Sequence, residues 1–386
     1  MQQPAMILRE SLAVLRAQAR NGTPVWDLGV RLFHWLLVAS VTIAALTGFF
    51  AQRSALQLHL IAGGIIAALI GFRIVWGLLG GGYARFASFA FSPPSVLAYG
   101  RQMIAGRTAR YLGHNPLGGL MVFALLAVLT LIVLTGTVTL GGLVKQGPLA
   151  FATSFAGGAQ AIGLHKLLSL LLVAMIAAHL WGVWFESRRE GENLVVAMVT
   201  GAKSHIEANP PRWKAHRRLA TLICIALGAA GTFGITALAN LPGLGVPPAA
   251  QDPVYAEQCG ACHLAYPPSL MPAAAWSGIL DHLGHHFGED ASLDAPTIAH
   301  LRAYLAANSA EHWDTLPAVR LRSSIDPADP MRITATRFWR NMHRRIPAAT
   351  FASPKVSSRA SCEACHRDAA TGRFAPQKIE IPEASE

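Results

Sequence analysis

Leu164-His-Lys-Leu-Leu-Ser-Leu-Leu-Leu-Val-Ala-Met-Ile-Ala-Ala-His179 decides how the 386-residue chain folds. The stretch is apolar enough for a membrane-spanning helix, yet it carries a histidine near each end. In an α-helix the two positions are separated by about 21 Å of rise, and at about 100° per residue they return to nearly the same face. An unpaired imidazole in hydrocarbon is costly, so histidines inside a span are functional candidates by default. One helix therefore offers a ligand at each of two membrane depths, and neighbouring helices must supply partners at the same depths.

Apolar stretches near 31–50, 57–79, 117–140, 164–186 and 218–240 predict five transmembrane helices, since roughly 20 helical residues cross a hydrocarbon core. The chain is 52% hydrophobic and only 14% charged, which a soluble domain of this size rarely shows. Its net charge of +11 does not point to nucleic acid. Residues 1–243 hold 19 Lys+Arg against 6 Asp+Glu, and these cations sit between apolar runs, as cytoplasmic loops facing anionic lipid do. Arg9, Arg16, Arg20, the arginines of 80–116 and the basic cluster of 187–217 place the N-terminus inside and the C-terminus outside. Residues 1–24 lack the apolar core of a cleavable signal, so the first span is expected to remain as an anchor.

With that direction, His34 lies near the cytoplasmic end of the first helix and His59 near the periplasmic end of the second. Depth pairs His34 with His179 and His59 with His165, each pair able to supply both axial ligands of a non-covalent b haem. Arg31, Arg53, Arg73 and Lys166 are candidates to meet haem propionates, set against an interfacial role in which the charge snorkels. Gly48, Gly63, Gly64 and Gly71 suit either a flat porphyrin or close helix packing.

Beyond Leu241-Pro-Gly-Leu-Gly-Val-Pro-Pro248 the composition changes, with 13 Lys+Arg against 15 Asp+Glu over 244–386. This places an outer domain at 244–386, after a cytoplasmic segment (1–24), a di-haem bundle (25–200), and a basic loop with the fifth helix (201–243). Four of the five cysteines fall in Cys259-Gly-Ala-Cys262-His263 and Cys362-Glu-Ala-Cys365-His366. Two thiols one helical turn apart, followed by an imidazole, suit thioether attachment of a c haem with His263 or His366 on the iron; zinc and thioredoxin-like readings explain the adjacent histidine less well. Attachment of this kind takes place outside the bacterial inner membrane, in agreement with the charge-based topology. Cys224, in an apolar run, is read as a small core residue. Distal ligands are sought among His282, His285, His286, His300, His312 and His343, with Met271, Met331 and Met342 as alternatives that would raise the potential. Short helices are expected near 253–263, 273–286, 295–307 and 333–343, with the haems themselves serving as the core.

Two resemblances sharpen these readings. Val25-Trp-Asp-Leu-Gly-Val-Arg-Leu-Phe-His34-Trp, Phe72-Arg-Ile-Val-Trp-Gly77, Tyr111-Leu-Gly-His-Asn-Pro-Leu-Gly-Gly119 and the paired histidines of the fourth helix resemble the bacterial cytochrome b561 and hydrogenase-type cytochrome b group. That resemblance implies a four-helix core with two bis-histidine haems and exchange with membrane quinones, which makes the fifth helix an added tether. The first Cys-x-x-Cys-His motif with its Pro272 tail, His286-Phe-Gly-Glu-Asp-Ala-Ser-Leu-Asp294, Phe338-Trp-Arg-Asn-Met-His343 and Cys362–His366 resemble the periplasmic dihaem cytochromes c. Here the resemblance implies distal His286 for the first haem and His343 for the second, with exchange between them open and His282 and His285 as rivals.

The chain is thus expected to be an all-α membrane protein of the inner membrane, carrying two b and two c haems. It would pass electrons between quinone and a soluble periplasmic cytochrome, for which an oxygen-binding monohaem type is the partner the dihaem family implies. No acid, base or nucleophile constellation is evident, so a purely electron-carrying role and a quinol:cytochrome c-type oxidoreductase both stand. Alternatives are a superoxide:quinone oxidoreductase and a cytochrome b anchor for a hydrogenase or dehydrogenase.

Overall fold

The computed structural model describes residues 22–50, 55–107, 109–203 and 215–382. It divides into two compact units that do not follow chain order: one takes the chain up to Thr135 with Gly163–Gly234, the other Gly136–Ile162 with Ile235 onward.

In the first unit a short strand β1 (Thr23–Pro24) precedes α1 (Leu28–Phe49). Asp27 caps α1 by accepting from the Val30 N–H at 2.9 Å, and its carboxylate also accepts from Trp76 Nε1 at 3.0 and 3.2 Å. That indole belongs to α2 (Leu56–Leu79) and lies so close to Gly29 that a Cβ there would stand 2.8 Å from the ring. The helix start and the contact between the first two spans are therefore fixed by one carboxylate and one missing side chain. A surface helix, α3 (Pro93–Ile104), leads to α4 (Pro116–Thr139), which runs on as a π-helical turn over Leu140–Val144. Helix α5 (Phe155–Glu190) carries both histidines of the fourth span and is followed by α6 (Leu194–Thr200) and β2 (Ala202–Lys203), which pairs antiparallel with β1. The fifth span is α7 (Arg217–Ala239).

All five expected spans are present, each long and apolar enough to cross a membrane, and no more than 28% of any span's apolar window is buried in the protein. Leu164, Leu167, Leu170, Leu171, Leu180, Trp181 and Trp184 of α5 are exposed, an arrangement stable against lipid tails and not against water. At 36 residues α5 is about 54 Å long, well beyond a hydrocarbon core of roughly 30 Å. It begins nine residues before the expected 164, because an Ala- and Gly-rich lead-in is helical without being strongly apolar.

Two apolar clusters organise this unit. Val25, Trp26, Val30, Val75, Trp76, Ala84 and Leu112 pack with Ala220 of α7, and Cys224 lies partly buried against them as a core residue. Ile66, Ile70, Val128, Leu129 and Leu172 form the second cluster. Leu172 falls midway between His165 and His179 on α5, so apolar packing separates the two histidine levels.

In the second unit the outer domain is built from α8 (Pro253–Cys259), α9 (Ala273–Asp281), α10 (Ala295–Asn308), α11 (Leu316–Arg322), α12 (Arg337–His343) and α13 (Ala348–Ala352), joined by 3-10 turns. Asp252, Asp294, Thr315 and Thr336 each cap the helix that follows, which lets such short helices end cleanly. Helices α11 and α13 add to the four short helices expected from the sequence. Haems are not the whole core: Tyr255, Met271, Trp276, Leu280, Leu301 and Leu305 form a buried apolar cluster of their own. The Tyr255 hydroxyl donates to Tyr266 O at 2.5 Å and Trp276 Nε1 to Pro268 O at 2.8 Å, so the cluster's polar edges are paired.

Candidate haem sites

The ring centres of His59 and His165 lie 6.2 Å apart with their planes at 72°. Each is aimed by the same device. His59 Nδ1 lies 3.1 Å from Ala44 O and 3.1 Å from Thr47 Oγ1 on α1, while His165 Nδ1 lies 3.0 Å from Ile132 O and 3.3 Å from Thr135 Oγ1 on α4. In both, the carbonyl belongs to the residue three before the threonine. An Nδ1–H that donates to a carbonyl leaves the Nε2 lone pair as the ring's donor to a metal ion. Gly48 completes this end, since a Cβ there would approach the His59 ring to 3.2 Å. Open space lies where side chains would stand at Gly63, Gly64 and Gly71.

At the other level stand His34 on α1 and His179 on α5. The His34 Nδ1 is buried without a hydrogen-bond partner among the described residues, as are Arg31 Nε and His114 Nδ1. Arg31 Nη2 donates to Val199 O. Arg73, 3% exposed, donates from Nη1 to Ala84 O at 3.1 Å and lies over the rings of Phe33, Phe86 and Phe89. Lys166 is exposed, and Arg53 lies outside the described residues.

His114 was not singled out from the sequence, although it stands in the Gly-His-Asn-Pro string just before α4. It is packed between Trp26 at 4.7 Å and Phe89 at 4.5 Å. Burial, and after it the charge of Arg73, pushes its imidazole down to about 3, so it stays neutral at physiological pH. A histidine beside an Asn-Pro helix start was the only hint available.

The basic loops carry their own counter-charges. Arg110 pairs with Glu192 and lies 3.7 Å from Glu190, Arg189 pairs with Glu186 at 2.5 Å, and Lys203 donates to Tyr111 O at 3.1 Å. Tyr99 and Asn115 both donate to Glu186, and burial pushes the Tyr99 phenol up to about 12.

In the outer domain His263 and His286 stand 6.2 Å apart with planes at 25°, and His343 and His366 stand 6.0 Å apart at 71°. His263 Nδ1 lies 2.8 Å from Leu264 O and His343 Nδ1 2.9 Å from Trp339 O, so each ring is oriented through Nδ1. Of the rivals, exposed His282 is turned onto Gly278 O at 2.8 Å. Met271 is wholly buried in the apolar cluster. Phe287 (φ 52°) and Phe374 (φ 50°) take left-handed backbone, and each sets its ring edge-on to a neighbouring histidine, His286 and His366 respectively, at 4.9 Å. The two motifs also touch: Tyr266 stacks on His263 at 5.0 Å, and its hydroxyl donates to Ala360 O, two residues before Cys362. Burial pushes the Cys259 and Cys362 thiols up to about 11 and raises that of Cys365 as well.

Two trans imidazoles on one metal ion, each bonded at about 2 Å with its ring centre about 1 Å further, stand roughly 6 Å apart. The separations of 6.0–6.2 Å at His59–His165, His263–His286 and His343–His366 fit that geometry.

Comparison with known proteins identifies two families along the chain. Residues 25–201 match the family model for prokaryotic cytochrome b561, and residues 255–374 that for dihaem cytochrome c. A probable Ni/Fe-hydrogenase B-type cytochrome subunit of Cupriavidus necator is 25% identical over 224 residues, covering 50% of this chain and 91% of the relative. Its counterpart in Rhizobium leguminosarum is 27% identical over 139 residues, 29% of this chain and 58% of the relative. Among solved structures, the dihaem cytochrome c of Shewanella baltica is 34% identical and covers 34% of this chain and 94% of its own, with a TM-score of 0.28. The one from Rhodobacter sphaeroides is 35% identical over 32% of this chain and 96% of its own, with a TM-score of 0.28. The chain is a haem-binding membrane protein that belongs to the prokaryotic cytochrome b561 family over its first half and to the dihaem cytochrome c family over its last third.

Proposed function

We propose that this chain is a four-haem electron carrier of the bacterial inner membrane, working between the quinone pool and a soluble periplasmic haem protein. His34 with His179 and His59 with His165 hold two b haems. Cys259 and Cys262 attach one c haem, with His263 and His286 as axial ligands, and Cys362 and Cys365 attach the other, with His366 and His343. The observation that carries the reading is the repetition of a 6.0–6.2 Å ring separation at three of these four pairs, in two differently built units. Haem supplies a reversible one-electron couple. The chain's residues orient the ligands: Ala44 and Ile132 hold the bundle imidazoles through Nδ1, and Arg31, Arg73 and Lys166 are the described candidates to meet propionates.

The N-terminus is assigned to the cytoplasm and the c domain to the periplasm. Support comes from the basic residues of the intervening loops and from Gly136–Ile162, which joins the third and fourth spans and forms one unit with the c domain. The hydrogenase-type relatives favour a second reading, an anchor that receives electrons from a docked enzyme. An outlet domain on the same chain favours the first.

Anaerobic stopped-flow mixing of the purified protein with a short-chain quinol tests the proposal. Reduction of b-type and then c-type absorption, followed by reoxidation on adding a periplasmic monohaem cytochrome, is the result expected. Failure of quinol to reduce either absorption, with co-purification of a hydrogenase or dehydrogenase subunit, would replace it with the anchor reading.

A further inference from the structure

Lys145 is the single charged residue between Arg110 and Lys166, in a loop that could otherwise pass for a plain connection between two spans. A lone lysine there would ordinarily point to the aqueous interface. Instead Lys145 is 4% exposed, at the end of the π-helical turn, with its backbone left-handed at φ 56°. Its ammonium donates to Thr153 O at 3.0 Å and to Asp314 Oδ2 at 2.7 Å. Asp314 comes from the c domain, just before α11.

The same carboxylate oxygen accepts a second bond, from the N–H of Phe155 at 2.7 Å. Phe155 is the first residue of α5, so the c domain supplies the group that satisfies a free N–H at the start of the helix bearing His165 and His179. Further bonds close the attachment. Asp314 N donates to Gly245 O at 2.8 Å, Leu244 N to Ala150 O at 2.9 Å, Arg373 Nη2 to Lys145 O at 3.1 Å, and Gln377 Nε2 to Gln146 Oε1 at 2.6 Å. The Arg320 guanidinium lies 5.6 Å from the centre of the Phe155 ring. Gly142 and Gly158 let the loop and the first turn of α5 meet backbone to backbone, since a Cβ at Gly142 would stand 2.6 Å from Gly158 Cα.

We propose that Asp314 and Lys145 are positioning residues for electron transfer, a clamp that fixes the c domain to the loop from which the ligand-bearing helix starts. The inference rests on the four-haem reading above. Electron tunnelling falls steeply with distance, so a c domain held only by the 241–248 linker would exchange electrons more slowly and over a spread of rates. The clamp needs an acceptor that serves Phe155 and a charge that serves Lys145, and a carboxylate at position 314 provides both.

The test uses the full-length, haem-loaded protein in lipid nanodiscs, with Asp314→Ala, Lys145→Met and Lys145→Arg. Stopped-flow reduction by quinol separates the rate of b-haem reduction from that of transfer to the c haems. Limited proteolysis within 241–248 reports attachment independently of turnover. Asp314→Ala and Lys145→Met should slow b-to-c transfer at least tenfold and speed linker cleavage, while haem content, midpoint potentials and the quinol-to-b rate stay at wild-type values. Lys145→Arg should restore most of the transfer rate. Should Asp314→Ala fail to mature, Lys145→Met, which leaves the Phe155 bond in place, still decides. Wild-type b-to-c rates and wild-type linker protection in Lys145→Met would overturn the clamp. A wild-type protein whose haems quinol cannot reduce would instead sink the underlying reading, with the proteolysis comparison still standing as evidence on the clamp.

Discussion

The bundle pair His59–His165 and the outer pair His263–His286 finish with the same 6.2 Å between ring centres, reached by opposite means. In the bundle each Nδ1 bonds to a carbonyl on a different span, Ala44 for His59 and Ile132 for His165, so the ligand is aimed by helix packing. In the outer domain the supporting carbonyls are local, Leu264 for His263 and Trp339 for His343, and the chain around them is largely turns and short helices. A bundle that aims its ligands through tertiary contacts keeps its architecture when a cofactor is missing. A domain that aims them locally, around a small apolar cluster of its own, is expected to lean more on covalent attachment to hold the partners together.

The largest contrast should come from deleting one site in each region. Cys362→Ala combined with Cys365→Ala is expected to halve c-haem content by pyridine haemochrome and to leave the outer domain sensitive to protease, with b haem unchanged. His165→Ala is expected to lose one of two b haems while the chain still inserts and keeps both c haems. An outer domain as protease-resistant without its second haem as with it would break the comparison.

A smaller effect is expected where support is removed and the ligand retained. Thr47→Val and Thr135→Val leave the carbonyl partners in place, so b-haem retention during dilution should weaken by less than about tenfold, the low end for groups that orient a metal ligand. Loss of c haem in either variant would contradict the separation of the two regions.

The smallest effects concern helix caps. Asp27→Ala removes the α1 cap and the partner of Trp76, and should lower thermal stability in detergent by about 1–2 kcal/mol. Asp252→Asn weakens the corresponding cap of α8 at the surface of the outer domain and should cost less. The Tyr255 N–H, and then His300, holds the Asp252 carboxyl below its ordinary value of 3.8. A carboxyl depressed in the folded state stabilises above its unfolded value and loses that contribution as pH falls through the folded one. The melting difference between wild type and Asp252→Asn should therefore be full at neutral pH and close on acidification below about 4, as calorimetry would show.

Much of this arrangement was legible in the sequence. Five apolar runs gave five spans because lipid imposes a length, and His34, His59, His165 and His179 stood out because imidazoles are rare at those depths. His286 and His343 were reached only through resemblance, since no spacing rule links a distal histidine to its motif when loops intervene. What the sequence hid was tertiary. Asp314 looks like any surface aspartate until α5 is seen to start at Phe155, and His114 gains significance only between Trp26 and Phe89. The helical run 155–163 escaped because Ala and Gly are weakly apolar, and α11 and α13 because five to seven residues are too few to display a period.

The central claim, four haems each held between two histidines, is tested most directly by pyridine haemochrome quantification of the purified protein with near-infrared magnetic circular dichroism of its oxidised form. The prediction is two b and two c haems per chain, all low-spin with bis-histidine charge-transfer bands. A full complement of c haem with no b haem, or a band from methionine ligation, would contradict it.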